Sequence, residues 1–166
     1  KYKTLKKYID FLHNNYNLNF AIHDIEGFIP LNSNLTKALS SYRIHSNNYC
    51  MYIKSNRKLW DKCLEKKNCI ADKCMQIKDV FHGTCYAGVE EFITPIFNKK
   101  ILLGFISVGI FKSKKKIINY IFKRISRDYN LNKNKLKTLY NNSLISKKPD
   151  MNKIKPTLNI ISVLLS

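Results

Sequence analysis

Residues 101–111, ILLGFISVGIF, carry no charged side chain and no polar one except Ser107. A run that apolar cannot face water on either side, so it reads as a central strand covered on both faces. Residues 83–97, GTCYAGVEEFITPIF, read as strand material with a glycine kink, and Asn98-Lys99-Lys100 as the hairpin tip between the two. The rest of the chain must then supply cover for both faces of this pair.

The cover is legible as helices. Tyr2, Leu5, Tyr8, Ile9 and Leu12 fall at helical spacing over residues 2–15. Residues 18–31, LNFAIHDIEGFIPL, read as a hairpin turning at Asp24–Gly27, with Phe28–Leu31 as the returning strand. A short helix follows, with Ser33 or Asn34 as its N-cap, and residues 47–55 form a second short apolar piece. Residues 56–77 read as a helix that breaks near Asn68 if its cysteines are to meet. Residues 114–129 form an amphipathic helix with Ile117, Ile118, Ile121, Phe122 and Ile125 inward. Two more helices follow, over 132–142 and 151–166. This order predicts a single-domain α+β fold, an antiparallel sheet flanked by helices in the PAS and GAF manner, with a cavity between sheet and helices.

The formal net charge is +19. From Lys112 to Lys155 there are fourteen Lys or Arg against Asp128 and Asp150 alone. Such a face suits either a phosphate backbone, making the chain a basic nucleic-acid-binding domain, or plain solvation. Lysine far outnumbers arginine, which favours the solvated surface, because arginine is the residue that clamps phosphates and reads base edges. No apolar run reaches the ~18 residues of a membrane span, and the first residues lack a signal-peptide core. A cytoplasmic, reduced setting is expected. So is an origin as part of a longer protein whose other regions carry the output.

Cys50, Cys63, Cys69, Cys74 and Cys85 are separated by 12, 5, 4 and 10 residues, and none of these is the C-x2-C spacing of a strong metal motif. On one unbroken helix Cys63 and Cys74 share a side but lie ~16 Å apart. The open readings are small buried apolar residues, thiols lining a pocket or sensing redox state, and a zinc or iron–sulfur site on Cys50, Cys63 and Cys85. His13, His23, His45 and His82 form no spaced metal pair. No nucleophile elbow, zinc-protease, phosphate-loop or dinucleotide motif is present, so an enzyme is not expected. Glu90 and Glu91 are adjacent on a strand and point to opposite faces, so only one can reach a cavity. Pro95 inside a strand implies an edge or a bulge.

A family resemblance rests on Tyr49-Cys50, Cys63, Cys85-Tyr86-Ala87-Gly88-Val89, Pro95-Ile96, Leu103-Gly104 and Gly109, with the segment around Asp24 and Gly27 before them. Together these residues resemble the PocR sensory domain, over roughly residues 5–130. Tyr86 stands where that family usually has His, and Val89 where it has Leu.

The resemblance implies a PAS-like ligand-binding module of bacterial transcription regulators and histidine kinases. Its expected guest is a small hydrocarbon derivative such as a short diol, held in an internal pocket and sensed without catalysis. The expected ligand-binding residues are Tyr49, Cys50, Trp60, Cys63, Cys85, Tyr86, Gly88, Glu91 and Phe105, with Phe20 also in the wall. Gly83 and Gly88 are expected to let backbone or guest come close. Residues 1–130 are expected to form the sensory unit. Residues 131–166 are expected to add C-terminal helices that transmit the signal or dimerise, through Ile154, Leu158, Ile161 and Leu165, unless these simply pack in the core. DNA is expected to be reached only through an output region elsewhere.

Overall fold

A computed structural model describes residues 2–166. The elements are α1 (Tyr2–Tyr16), β1 (Phe20–Asp24), α2 (Ser33–Leu39), α3 (Asn48–Lys54), α4 (Arg57–Ile77), β2 (Phe81–Thr84), β3 (Val89–Asn98), β4 (Ile101–Lys112), α5 (Lys115–Tyr129), α6 (Lys133–Ser143) and α7 (Met151–Leu165). A 3-10 turn at Ser40–Tyr42 extends α2. The strands make one antiparallel sheet in the order β1-β4-β3-β2. This is the α+β, PAS/GAF-like layout that the strand and helix order predicts.

The apolar run is central, as its composition requires. Ile106 and Val108 look to one face of β4 and Phe105 and Ser107 to the other, and all four are buried. The first face pairs Phe20 with Val108 and Ile22 with Ile106. It is covered by Leu5, Ile9 and Leu12 of α1, Leu35 and Leu39 of α2, and Ile154, Leu158, Ile161 and Leu165 of α7. Those α7 side chains are therefore spent on the chain's own core and cannot make a dimer contact. The outward side of α7 carries Ile160 and Val163 instead. On the second face α4 lies across the sheet. Farther along, α3, α5 and α6 close a separate core around Tyr49, Ile118, Ile121, Phe122, Ile125 and Tyr140. Ile117, expected inward, is exposed.

Several local expectations change. Phe28–Leu31 do not return as a strand. The Asp24 carboxylate accepts from the N–H groups of Gly27, Phe28 and Ile29 at 2.7, 3.0 and 3.0 Å, folding them into a turn. The partner of β1 is the distant β4. Gly104 makes that pairing possible, since a Cβ there would sit 2.1 Å from the His23 carbonyl oxygen. The cap of α2 is Asn32 rather than Ser33 or Asn34. Residues 48–54 are helical, capped by Asn47. Helix α4 runs unbroken past Asn68. Residues 83–97 are not one kinked strand. Cys85–Gly88 form a turn between β2 and β3, closed by Cys85 N–H to the Val89 carbonyl at 2.9 Å and Gly88 N–H to the Cys85 carbonyl at 3.0 Å. Pro95 lies just past the end of β2, whose last pair is Phe81 with Ile93, so β3 is locally an edge there and the missing N–H breaks no ladder.

Candidate functional site

A cavity of about 210 Å³ lies between the second face of β1, β3 and β4, the helices α3 and α4, the loop before α3 and the β2–β3 turn. Trp60, Cys63, Leu64 and Ile70 reach it from α4, Cys50 and Ile53 from α3, Cys85 and Tyr86 from the β2–β3 turn, and Glu91, Phe105 and Ser107 from the sheet. His23 and His45 complete the interior, and Arg43, Lys54, Lys66 and Lys67 also line the space.

Alternation along the strands explains the polar tips. Phe105 and Ser107 are two residues apart on β4 and so share a face. Simple alternation along β3 places Glu91 on that same face and Glu90 and Phe92 on the other, the extra residue of the register irregularity there falling on β4, between Val108 and Phe111. Glu91 is buried, and its Oε2 finds no hydrogen-bond partner. His45 Nε2 is likewise buried and unpartnered, 3.7 Å from Glu91 Oε2, too far for a hydrogen bond. Burial raises the Glu91 carboxyl to about 7, against the opposing pull of the Ser107 hydroxyl and Lys66. Burial also lowers His23 to about 3 and His45 to about 4, with nearby cations adding to the effect, so both rings are neutral at pH 7. The His23 ring stacks on Phe105 at 4.5 Å and meets His45 edge-on at 6.3 Å.

The thiols are neutral as well. Burial lifts Cys50 to about 11, Cys85 to about 12 and raises Cys63. A neutral thiol is a poor nucleophile, which weakens the redox reading. Among the described residues no three His, Cys, Asp or Glu side chains are placed to hold a metal ion. Cys74 is buried against Phe81, Ile93 and Phe105, and Cys69 is exposed, so neither joins the cavity thiols.

Seven of the nine expected site residues line the cavity: Cys50, Trp60, Cys63, Cys85, Tyr86, Glu91 and Phe105. Tyr49 and Gly88 stand behind it. Tyr49 donates its hydroxyl to the Ala87 carbonyl at 2.7 Å and packs against Phe122 and Tyr140. Gly88, at φ 78°, makes room for α5 and not for a guest, since a Cβ there would lie 2.6 Å from Ile118 Cδ1. Gly83 faces the Ile93 side chain. Phe20 packs on the opposite face of the sheet. Tyr86 is anchored by its hydroxyl to the Leu59 carbonyl at 2.6 Å, and its own carbonyl accepts from Arg124 at 3.1 Å. The turn is thus held from several sides, and Cys85 is presented by a fixed backbone.

A family model for the sensory domain found in PocR matches residues 1–166. The chain belongs to the PocR sensory domain family. No curated protein and no solved structure matches it. In this PocR domain the match extends through α6 and α7, and no described helix is long and apolar enough to cross a membrane.

Sequence reasoning missed His23, His45 and Ser107. Ser107 had a signal, being the one polar residue at strand spacing from Phe105 in an apolar run. His23 had a signal only for a reader who paired β1 with β4, where it stands opposite Phe105. His45 sits in a loop before α3 and had none.

Proposed function

We propose that this PocR domain senses a small hydrocarbon derivative bearing a hydrogen-bonding oxygen, bound in the cavity under α3 and α4 without chemical change. One observation carries the reading. A mostly apolar space contains two buried polar atoms, Glu91 Oε2 and His45 Nε2, that face each other and have no partner among the described residues. Unpaired buried polar groups are costly, so a guest that bridges them recovers free energy the empty protein lacks. Mostly apolar walls with a few converging polar tips are the usual character of small-ligand sites.

Size narrows the class. An apolar cavity of ~150 Å³ holds benzene, so about 210 Å³ suits a guest somewhat larger than a six-membered ring. A short diol meets the hydrogen-bonding demand but leaves space for water. The outlet is α7, which packs on the other face of the strand that carries Glu91. A guest favouring one packing of the sheet shifts the population that α7 reports.

The test is thermal-shift screening of the reduced protein against 1,2-propanediol, benzyl alcohol, short aldehydes and carboxylic acids, with Cys63→Trp as a cavity-filling control. A guest at 100 times its Kd adds about 2.7 kcal/mol of stability. Stabilisation in wild type that vanishes in a folded Cys63→Trp protein is expected. No shift with any compound would remove this reading.

A further inference from the structure

We propose that the guest is a monocarboxylate with an apolar body of about ring size, its carboxylate held by Lys66, by the Glu91 carboxyl as a hydrogen-bond donor, and by His45. The proposal rests on the sensing reading above and names the chemistry of the guest's polar end.

The cavity lining is electrically lopsided. Four cations, Arg43, Lys54, Lys66 and Lys67, stand around one carboxylate, Glu91. None of the four makes an ion pair among the described residues, although ion pairs occur elsewhere in the molecule. Lys54 donates to the His45 carbonyl at 2.7 Å and lies over the Trp60 ring, and Lys67 donates to the Asp24 carbonyl. Both acceptors are neutral, so both charges remain uncompensated. Lys66 is half-buried and close enough to act electrostatically on Glu91, yet it is not seated on it. An uncompensated cationic wall favours an anion and repels an amine.

Glu91 fits that anion only as the neutral acid. Around it stand Lys66 and Lys67 from α4, Lys54 and the Cys50 thiol from α3, His23 from β1, His45 from the preceding loop, and the Cys85 thiol and Ser107 hydroxyl from the turn and β4; Ser107 and Lys66 favour the ionised form, and burial outweighs them. Among the described residues no cation lies within ion-pairing distance of Glu91, the His45 ring 3.7 Å away being neutral, and burial has already lifted the carboxyl to about 7. A neutral carboxylic acid in an apolar site donates a short, strong hydrogen bond to an oxyanion. The His45 ring supplies a second N–H in the tautomer that carries its proton on Nε2. Binding the anion therefore draws one proton onto Glu91 whenever it starts ionised, and the site reads an acid and the ambient pH together.

The experiment is calorimetric titration of the intact protein with benzoate and with benzyl alcohol, its neutral counterpart of similar size, at pH 6 and pH 8. Benzoate is expected to bind about tenfold more weakly at pH 8 than at pH 6, following the proton it requires. Lys66→Gln is expected to weaken benzoate and leave benzyl alcohol unchanged. Glu91→Gln keeps an N–H donor and is expected to flatten the pH dependence while retaining binding. Benzyl alcohol binding as tightly as benzoate, with no pH dependence, would overturn the carboxylate assignment and leave the sensing cavity intact. No binding of either compound would overturn the carboxylate assignment and leave the sensing reading to the wider screen, whereas benzoate binding that persists in a folded Cys63→Trp protein would overturn both.

Discussion

Glu90 and Glu91 are consecutive on β3, are both buried, and serve opposite sides of the sheet. Glu91 Oε2 looks into the cavity toward His45. Glu90 pairs with Lys148, in the segment leading to α7, and with His82 Nε2 at 3.2 Å. The peptide bond between them joins the cavity side of the sheet to the side on which Lys148 leads into α7.

Glu91 gives the domain a pH signature. Its folded-state value, about 7, lies above its ordinary value of 4.5. The stabilisation tied to its proton is complete below pH 4.5 and is lost as pH rises through 7. His23 and His45 act in the opposite sense, their stabilisation being complete above their ordinary value of 6.5 and lost as pH falls toward 4 and 3. Urea denaturation of wild type and Glu91→Gln isolates the first effect. The variant is expected to gain on wild type by about 2–3 kcal/mol between pH 5 and pH 8.

Lys148→Met leaves Glu90 without its cation at a buried position. Lys148 is itself partly exposed, so the loss is smaller than for a fully buried pair, about 1–2 kcal/mol. Hydrogen exchange is expected to show faster amide exchange along residues 145–150 and the first turn of α7, with α5 and α6 unchanged. Unchanged exchange in α7 would mean that the pair does not secure that helix.

Gly104→Ala forces a Cβ against the His23 carbonyl, and backbone cannot give way as a side-chain end can. A loss of about 2–3 kcal/mol is expected. Because His23 enters the cavity from that strand, guest binding should weaken along with stability. Gly27→Ala meets no neighbouring atom within 4 Å, yet its φ of 74° still strains an L-residue, so the two variants separate steric from conformational cost.

Alkylation with iodoacetamide at pH 7.4 should label Cys69 first, because it is exposed, and Cys50, Cys74 and Cys85 only after unfolding. Their raised values leave almost no thiolate to react. Mass spectrometry with a bound guest is expected to show added protection at Cys63, the half-buried thiol on the cavity wall.

What the sequence conveyed follows from what each signal measures. Hydrophobic periodicity reports burial along one element, and it located β3, β4, α1, α5 and most of the cavity wall on α4. It says little about which distant strand pairs with which. That is why LNFAIHDIEGFIPL read as a local hairpin while the structure pairs β1 with residues about eighty positions later. The omission of His23 follows from that one error, since the β1–β4 register sets it opposite Phe105, while His45 lies in a loop that carries no periodic signal. Tyr49 and Gly88 were drawn to the site by their neighbours in the motif. Their work is to brace the turn that presents Cys85, a role visible only once the hydroxyl of Tyr49 is seen on the Ala87 carbonyl.

Pro95 offers no N–H, and its carbonyl accepts the Ser162 hydroxyl of α7 at 2.7 Å. From Thr94 to Asn98 the outer margin of β3 is therefore a seam that no other chain can zip onto while α7 stays in place. Loosening that helix would bare an adhesive margin beside an apolar surface. A rearrangement inside one molecule would thereby become a readiness to join another.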